Sequence, residues 1–238
     1  MNTTFFYHPE AAIGRSVEFD SSEATHISKA LRLKSGDLIE LTNGRGELFN
    51  AELEIDRHRV RAEIRQQIDS MDAAVPLHLA IAPTKNADRI EWLVEKAIEL
   101  GIGEIRLIQC KHSERNRMPM ERLYRVAVSA LKQSRRTLLP EIHEVTDFEA
   151  WLPLVNAEQR FVAHCIDYLP RVLLRDALRS NSSVCIAIGP EGDFTEREIE
   201  QCLKASFQSV SLGSARLRTE TAALAAVHTF NLINQTAL

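Results

Sequence analysis

Residues 184–226 run twice from a short apolar segment through a glycine loop into a helix. Val184–Ile188 reads VCIAI and is closed by Gly189-Pro190-Glu191-Gly192. An apolar run of that length, bounded by Gly and Pro, reads as a buried strand. Thr195 and Glu198 have the spacing of a capping box, which starts a helix at about Thr195. A second strand is expected at 207–212. It ends in Gly213-Ser214-Ala215-Arg216-Leu217-Arg218. Thr219 then caps a last, Ala-rich helix that is apolar through Leu224, Val227 and Phe230.

Strand C-termini in open α/β sheets carry the ligand crevice. Glycine there lets the main chain come close to a ligand. The plain alternative for either loop is an ordinary βα turn. Neither loop has the Gly-Lys-Ser/Thr of a phosphate-binding loop, and neither is Gly-x-Gly-x-x-Gly. A nucleoside-type ligand held by backbone groups therefore fits better than one gripped by its phosphates.

Upstream, strands at 77–82, 105–109 and 161–166 alternate with helices at 86–100, 147–154 and 171–178. That alternation predicts an α/β domain with a parallel sheet covered on both faces. His164 and Cys165, at the end of one of these strands, would line the same crevice. Residues 1–70 read differently. Short strands at 37–42, 47–55 and 60–64, a helix within 22–33 and a hairpin turn at Asn43-Gly44 predict a small barrel. The polar stretch 69–74 places the boundary near residue 73.

The formal net charge of −4 excludes a wholesale nucleic-acid coating. Within 111–136, however, eight Lys and Arg stand against Glu114 and Glu121, an excess of six positive charges. Phosphate attraction is one use for such a patch, and a solvated basic helix is the other. Three of the four cysteines sit in or beside predicted strands and read as buried thiols. No Cys-x-x-Cys pair occurs, and the histidines match no metal-ligand spacing, so no metal is expected. No Gly-x-Ser-x-Gly elbow supports hydrolase chemistry. No window has the length of apolar sequence a membrane span needs, and the N-terminus lacks a signal-peptide build, so a cytoplasmic protein is expected.

IGPEGDFTEREI and LGSARLRTETA together resemble the paired C-terminal motifs of the RsmE family. These are small-subunit rRNA uridine N3-methyltransferases of the SPOUT superfamily. The resemblance extends to His26, Leu31-Arg32-Leu33, Gly36-Asp37 and Gly44, to the segment from Lys85 to Gly101, to Ser113-Glu114-Arg115, and to Gln133, Arg136 and Pro140. Asp193 stands where the family usually has glycine, and Ala215-Arg216 also departs from its pattern.

The resemblance implies an N-terminal PUA-like β-barrel over 1–72 that helps hold RNA. It further implies a C-terminal SPOUT α/β domain over 73–238 with a deep trefoil knot. S-adenosyl-L-methionine is the implied methyl donor and 16S rRNA in the small subunit the implied partner, with a homodimer as the working form. The implied cofactor residues are His164, Gly189, Glu191, Gly192, Leu212, Ser214 and Leu217. Arg218, Glu220 and Arg115 are the catalytic candidates. Arg32, Lys85, Arg115, Gln133 and Arg136 are the RNA-binding candidates. For Arg218 the structural alternative is a bond to loop carbonyls, and for Glu220 an acid in a first helical turn. Arg89, Glu91, Glu95 and Lys96 are expected to form helix-face ion pairs. A second functional reading is a non-catalytic RNA-binding factor that keeps this fold.

Overall fold

The computed structural model describes residues 4–57, 59–69 and 77–234. It divides into two compact units. One is Met1–Ala73 with Leu131–Leu139, and the other is Ala74–Ala130 with Pro140–Leu238. The expected boundary near residue 73 lies outside the described residues, as does most of 69–74. The return of Leu131–Leu139 to the first unit is not anticipated by a single cut at 73.

In the first unit, β1 (Phe5–Tyr7), β2 (Ser16–Glu18), β3 (Leu38–Thr42), β4 (Leu48–Asp56) and β5 (Arg59–Ile68) form a sheet of order β1-β3-β4-β5-β2. The β1–β3 pair is parallel and the others are antiparallel. Alternate residues face inward, as the strand period requires. Thus Phe49, Ala51 and Leu53 of β4 and Val60, Ala62 and Ile64 of β5 are buried. The register shifts at Asn50/Ala51, a break that bends and twists a sheet. The expected barrel is therefore a curled sheet with β1 and β2 at its edges. The helix expected within 22–33 is two pieces. Asp20 caps α1 (Ser21–Thr25) through Ser22 and Glu23 N–H, and a π-helical turn, His26–Ala30, follows. Arg32, at φ 56°, ends it in the left-handed region.

Asn43-Gly44 is not a two-residue hairpin turn, because 43–47 forms a longer loop between β3 and β4. Residues 137–139 explain this. Thr137 O accepts from Gly46 N (2.9 Å) and Thr42 Oγ1 (3.1 Å), and Leu139 N donates to Gly44 O (2.8 Å). The returning segment thus takes backbone groups that a tight hairpin would pair within itself.

The second unit is built on β6 (Leu77–Ile81), β7 (Glu104–Gln109), β8 (Glu141–Asp147), β9 (Gln159–Ala163), β10 (Val172–Leu173), β11 (Val184–Ile188) and β12 (Gln208–Ser211). Its order is β10-β12-β9-β11-β6-β7-β8 and every pairing is parallel. Central β11 is buried at all its positions, as a parallel strand covered on both faces must be. The helices are α2 (Ala87–Glu99), α3 (Met120–Ser134), α4 (Phe148–Trp151), α5 (Leu174–Ala177), α6 (Glu196–Lys204) and α7 (Thr219–Asn234), with a 3-10 turn at Leu152–Leu154. The last turn of α3 belongs to the first unit. Asn86 caps α2, and its end is a Schellman turn: Ile102 N donates to Ala97 O and Gly101 N to Ile98 O, with Gly101 at φ 83°. Phe148, Trp151, Phe194 and Phe207 form an aromatic core on one side of the sheet.

Cys110, Cys185 and Cys202 are buried, whereas Cys165, beside β9, is exposed. Burial pushes the Cys185 and Cys202 thiols up to about 12. Among the described residues no group of three or more His, Cys, Asp or Glu is arranged to hold a metal ion. No described helix is long and apolar enough to cross a membrane.

Near the start of β7, Glu104 is bonded to His78 and Arg106, with His143 Nε2 at 2.9 Å. The hydrogen bond from His78, aided by the charges of His78 and Arg106 and opposed by burial, lowers its pKa to about 2. A depressed carboxylate stabilises the fold above its unfolded pKa and loses that contribution as pH falls toward the folded value. Glu104→Gln is therefore expected to lower stability at pH 7 and to lose less between pH 5 and pH 2 than the wild type. Denaturant titrations at both ends of that window check this, and parallel losses in the two proteins would refute it.

Candidate active site

Since all seven strands are parallel, the exits of β6, β7, β9, β11 and β12 lie along one edge of the sheet. The two glycine loops follow β11 and β12, with β9 between them, two strand spacings or about 10 Å apart. His164 follows β9 directly and so emerges between the loops. Its ring is buried, at 4% exposure. Its Nδ1 accepts from Ile166 N (3.3 Å), its carbonyl accepts from Arg171 Nη1 (2.7 Å), and its buried Nε2 has no hydrogen-bond partner among the described residues. Burial holds its pKa below the usual histidine value; Arg171 adds to this and Asp193 opposes it.

The first glycine loop is fastened from several sides. A Cβ on Gly189 would lie 3.0 Å from both the ring and the backbone N of buried Phe194. Asp193 occupies the left-handed region at φ 62°, the conformation a glycine adopts at least cost. It offsets this through its carboxylate: Oδ1 accepts from Phe194 N (2.8 Å) and Oδ2 from Cys165 N (2.7 Å). The departure from glycine thus ties the loop to the exit of β9. Glu191 Oε1 accepts from Lys85 N (3.1 Å), and His112 Nδ1 lies 3.0 and 3.1 Å from Gly192 O and Asp193 O. Both halves of the capping box at Thr195 and Glu198 form, and Glu198 Oε1 also accepts from Lys111 N (2.8 Å). Asp193 N donates to Pro190 O (2.9 Å). The N–H groups of exposed Glu191 and Gly192 make no hydrogen bond among the described residues and remain available to a ligand.

Lys85 and Arg115 join this framework. Arg115 donates from Nε (3.2 Å) and Nη2 (2.8 Å) to Lys85 O, while Lys85 Nζ lies 2.9 Å from Glu114. Ser113 Oγ accepts from Cys110 N (2.9 Å). The Ser-Glu-Arg segment therefore fixes the loop after β6 relative to the loop after β7.

The second glycine loop is more open. Ser211 Oγ bonds both the N–H and the carbonyl of Gly213, which has φ 130°. Leu212 and Leu217 are half-buried, and Ser214, Ala215, Arg216 and Arg218 are exposed. The Arg218 side chain makes no hydrogen bond or ion pair among the described residues. Glu220 differs from the solvent-facing acid that its place in a first helical turn suggests. It is buried, Arg89 Nε lies 3.7 Å away, and its Oε2 has no hydrogen-bond partner among the described residues. Arg89 and Glu91 also depart from the expected pattern along one helix, since Glu91 pairs with Arg122 at 2.8 Å. Only Lys96, with Glu95 and Glu99, pairs along α2 as expected.

Arg32, Gln133 and Arg136 belong to the first unit. Arg32 and Gln133 are exposed, and Arg136 is half-buried with its N–H on Leu131 O (3.1 Å). Several basic residues of 111–136 serve the fold. Lys132 pairs with Glu23, Arg135 pairs with Glu40 and stacks 5.4 Å over Phe5, and Arg122 pairs with Asp88 and Glu91. Lys111, Arg117 and Arg125 are exposed and form no side-chain ion pair among the described residues. His112, Asp193 and Phe194 also shape the site, although none of them is among the cofactor, catalytic or RNA-binding candidates of the sequence. His112 is 80 residues from Gly192 in sequence, so no local pattern joins them.

A model described as an RNA methyltransferase domain matches residues 71–231, and one described as an RNA methyltransferase PUA domain matches 19–65. The ribosomal RNA small subunit methyltransferase E of Rickettsia conorii is 29% identical, over 96% of this chain and 94% of that protein. Among solved structures, a probable rRNA-methyltransferase from Porphyromonas gingivalis is 38% identical at a TM-score of 0.90, covering 97% of this chain and 98% of that one. The ribosomal RNA small subunit methyltransferase E of Neisseria gonorrhoeae, bound to S-adenosyl methionine, is 27% identical at a TM-score of 0.84, covering 98% of each chain.

Proposed function

The chain belongs to the RNA methyltransferase family, and from that premise we propose that it methylates N3 of one uridine in 16S rRNA, using S-adenosyl-L-methionine. The observation that carries this reading is the shared sheet edge, where two glycine loops flank the exit of β9. The similarity to the Neisseria gonorrhoeae enzyme with its bound donor supports it.

The donor supplies a methyl group already activated on a sulfonium. The free N–H groups of Glu191 and Gly192 and the main chain of Gly189 would hold it on one side, and that of Leu212, Ser214 and Leu217 on the other. These fit a ligand bound through backbone groups, because Glu191 and Asp193 commit their carboxylates to Lys85, Phe194 and Cys165. Neutral His164 lies between the loops and brings no charge next to a cationic donor.

Uridine N3 carries a proton at neutral pH that must leave as the methyl arrives. Arg218, exposed and without a side-chain partner among the described residues, is assigned to stabilise the resulting uridine anion. Arg115 acts by bracing Lys85 O, and Glu220 by holding Arg89 where α7 begins. Alignment of N3 with the methyl supplies the rest of the rate, and a uridine in folded RNA is unstacked to reach it. Lys111, Arg117 and Arg125 are assigned to the RNA backbone with Lys85, and Arg32, Gln133 and Arg136 to the RNA contact of the PUA unit.

The trefoil knot is part of the same proposal. It is supported by β11, which enters late in the chain yet lies between β9 and β6, and by β12, which enters between β10 and β9. A homodimer in the cytoplasm is its proposed working form, supported by Leu232 at 56% exposure on α7. Mass mapping of methylated uridine in small-subunit rRNA, from cells lacking and then regaining the gene, tests the reading. The modification is expected to disappear and return; unchanged rRNA refutes it. Saturable donor binding without any methylation would favour an RNA-binding factor on the same fold.

A further inference from the structure

We propose that His112 is a positioning residue for the first glycine loop and, resting on the reading above, for the methyl donor held there. Gly192 O and Asp193 O are consecutive carbonyls, and both lie within hydrogen-bond distance of the same His112 Nδ1 (3.0 and 3.1 Å). A carbonyl only accepts, so Nδ1 must carry the hydrogen and the tautomer is set by the contact. The side chain and the loop also fit sterically: a Cβ on Gly192 would come within 3.0 Å of His112 Cβ.

The consequence is read from the loop's backbone accounting. The peptide joining Gly192 to Asp193 gives its carbonyl to His112 and its N–H to Pro190 O. The next peptide gives its carbonyl to His112 and its N–H to Asp193 Oδ1. With both peptide planes fixed, the N–H groups of Glu191 and Gly192 are the loop's donors left without a hydrogen bond among the described residues. The first of these peptides also bears on the Pro190–Glu191 peptide through Asp193 N and Pro190 O, so His112 acts on the Glu191 donor assigned to the ligand through the backbone and is not itself assigned a contact with it.

His112 is itself held. Its neighbours are anchored through Lys111 N to Glu198, Ser113 to Cys110, and Arg115 to Lys85 O. The imidazole is the one side chain of the 110–115 turn that reaches the carbonyls of the glycine loop.

The test uses the full chain with His112→Ala and His112→Asn, S-adenosyl-L-methionine calorimetry, and methylation kinetics on small-subunit rRNA. Asparagine places an amide donor close to the position of Nδ1. Losing the hydrogen bond is expected to weaken donor binding about 5- to 30-fold in His112→Ala. His112→Asn should stay within about threefold of wild type by the same arithmetic. The KM for donor should rise in His112→Ala while the KM for RNA stays put, a split that a general loss of folding would not give. Wild-type donor affinity in His112→Ala overturns the proposal, as does an asparagine variant as weak as the alanine one. If the wild-type protein itself shows no saturable donor site, the functional reading fails and this proposal falls with it.

Discussion

Gly189→Val is expected to abolish saturable S-adenosylmethionine binding while the protein still folds. The first added carbon would sit 3.0 Å from the Phe194 ring and 3.0 Å from the Phe194 backbone nitrogen. The nitrogen cannot rotate away, since it donates to Asp193 Oδ1. The ring cannot retreat either, because it is buried and packs at a tilt against Phe148, with ring centroids 6.0 Å apart. Valine adds two more methyl groups to the same space. Overpacking of this kind costs about 1–3 kcal/mol, which a folded domain survives. The loop survives it less well, because relief requires Phe194 and Asp193 to move, and Asp193 carries the tie to Cys165. Calorimetry should show at least a hundredfold loss of affinity, and thermal unfolding should show a cooperative but lowered transition. Wild-type affinity would mean that the donor is held elsewhere on the sheet edge.

The second large effect concerns RNA. Removing Arg117 and Arg125 together should flatten the dependence of RNA affinity on salt. For every phosphate that is no longer neutralised, the slope of log K against log salt falls by about 0.7 to 0.9. With two fewer phosphates neutralised, the weakening of RNA binding between 50 and 200 mM salt becomes roughly tenfold smaller. Donor affinity should be unchanged. Replacing Lys132 and Arg135 should instead lower stability, since their charges meet Glu23 and Glu40 within the first unit. An unaltered slope in the Arg117/Arg125 variant would remove that face from the RNA surface.

The parts of this molecule that sequence reveals are those fixed by local chemistry. The strand Val184–Ile188 matches its expected span, because an apolar run between Gly and Pro has few other ways to fold. The capping box at Thr195 and Glu198 also needed only residues three apart. Features set by distant partners were hidden. The loop 43–47 opens because Thr137 and Leu139 occupy its backbone groups. Edge strand β8 contains no buried residue, and its two apolar residues, Ile142 and Val145, are three apart, a spacing that does not alternate as a strand would. β1 and β2 are three residues each, too short for periodicity to register. In the candidate site, the positions of the two glycine loops were legible. The commitment of Arg115, Glu191 and Glu220 to internal partners was not, because each partner comes from another loop or helix. Cys165 likewise gave no sign that its N–H anchors Asp193.

The excursion of Leu131–Leu139 bears on how the polypeptide is made. The backbone passes from one body to the other after residues 73, 130 and 139. A gene fragment ending near residue 73 encodes an N-terminal body without the strip that bonds its 43–47 loop. During synthesis that body waits for Leu139 to leave the exit tunnel, by which time β6 and β7 are already available to pair. Maturation of the two halves is thus interleaved in time, and exchanging either half between relatives requires moving a discontinuous piece.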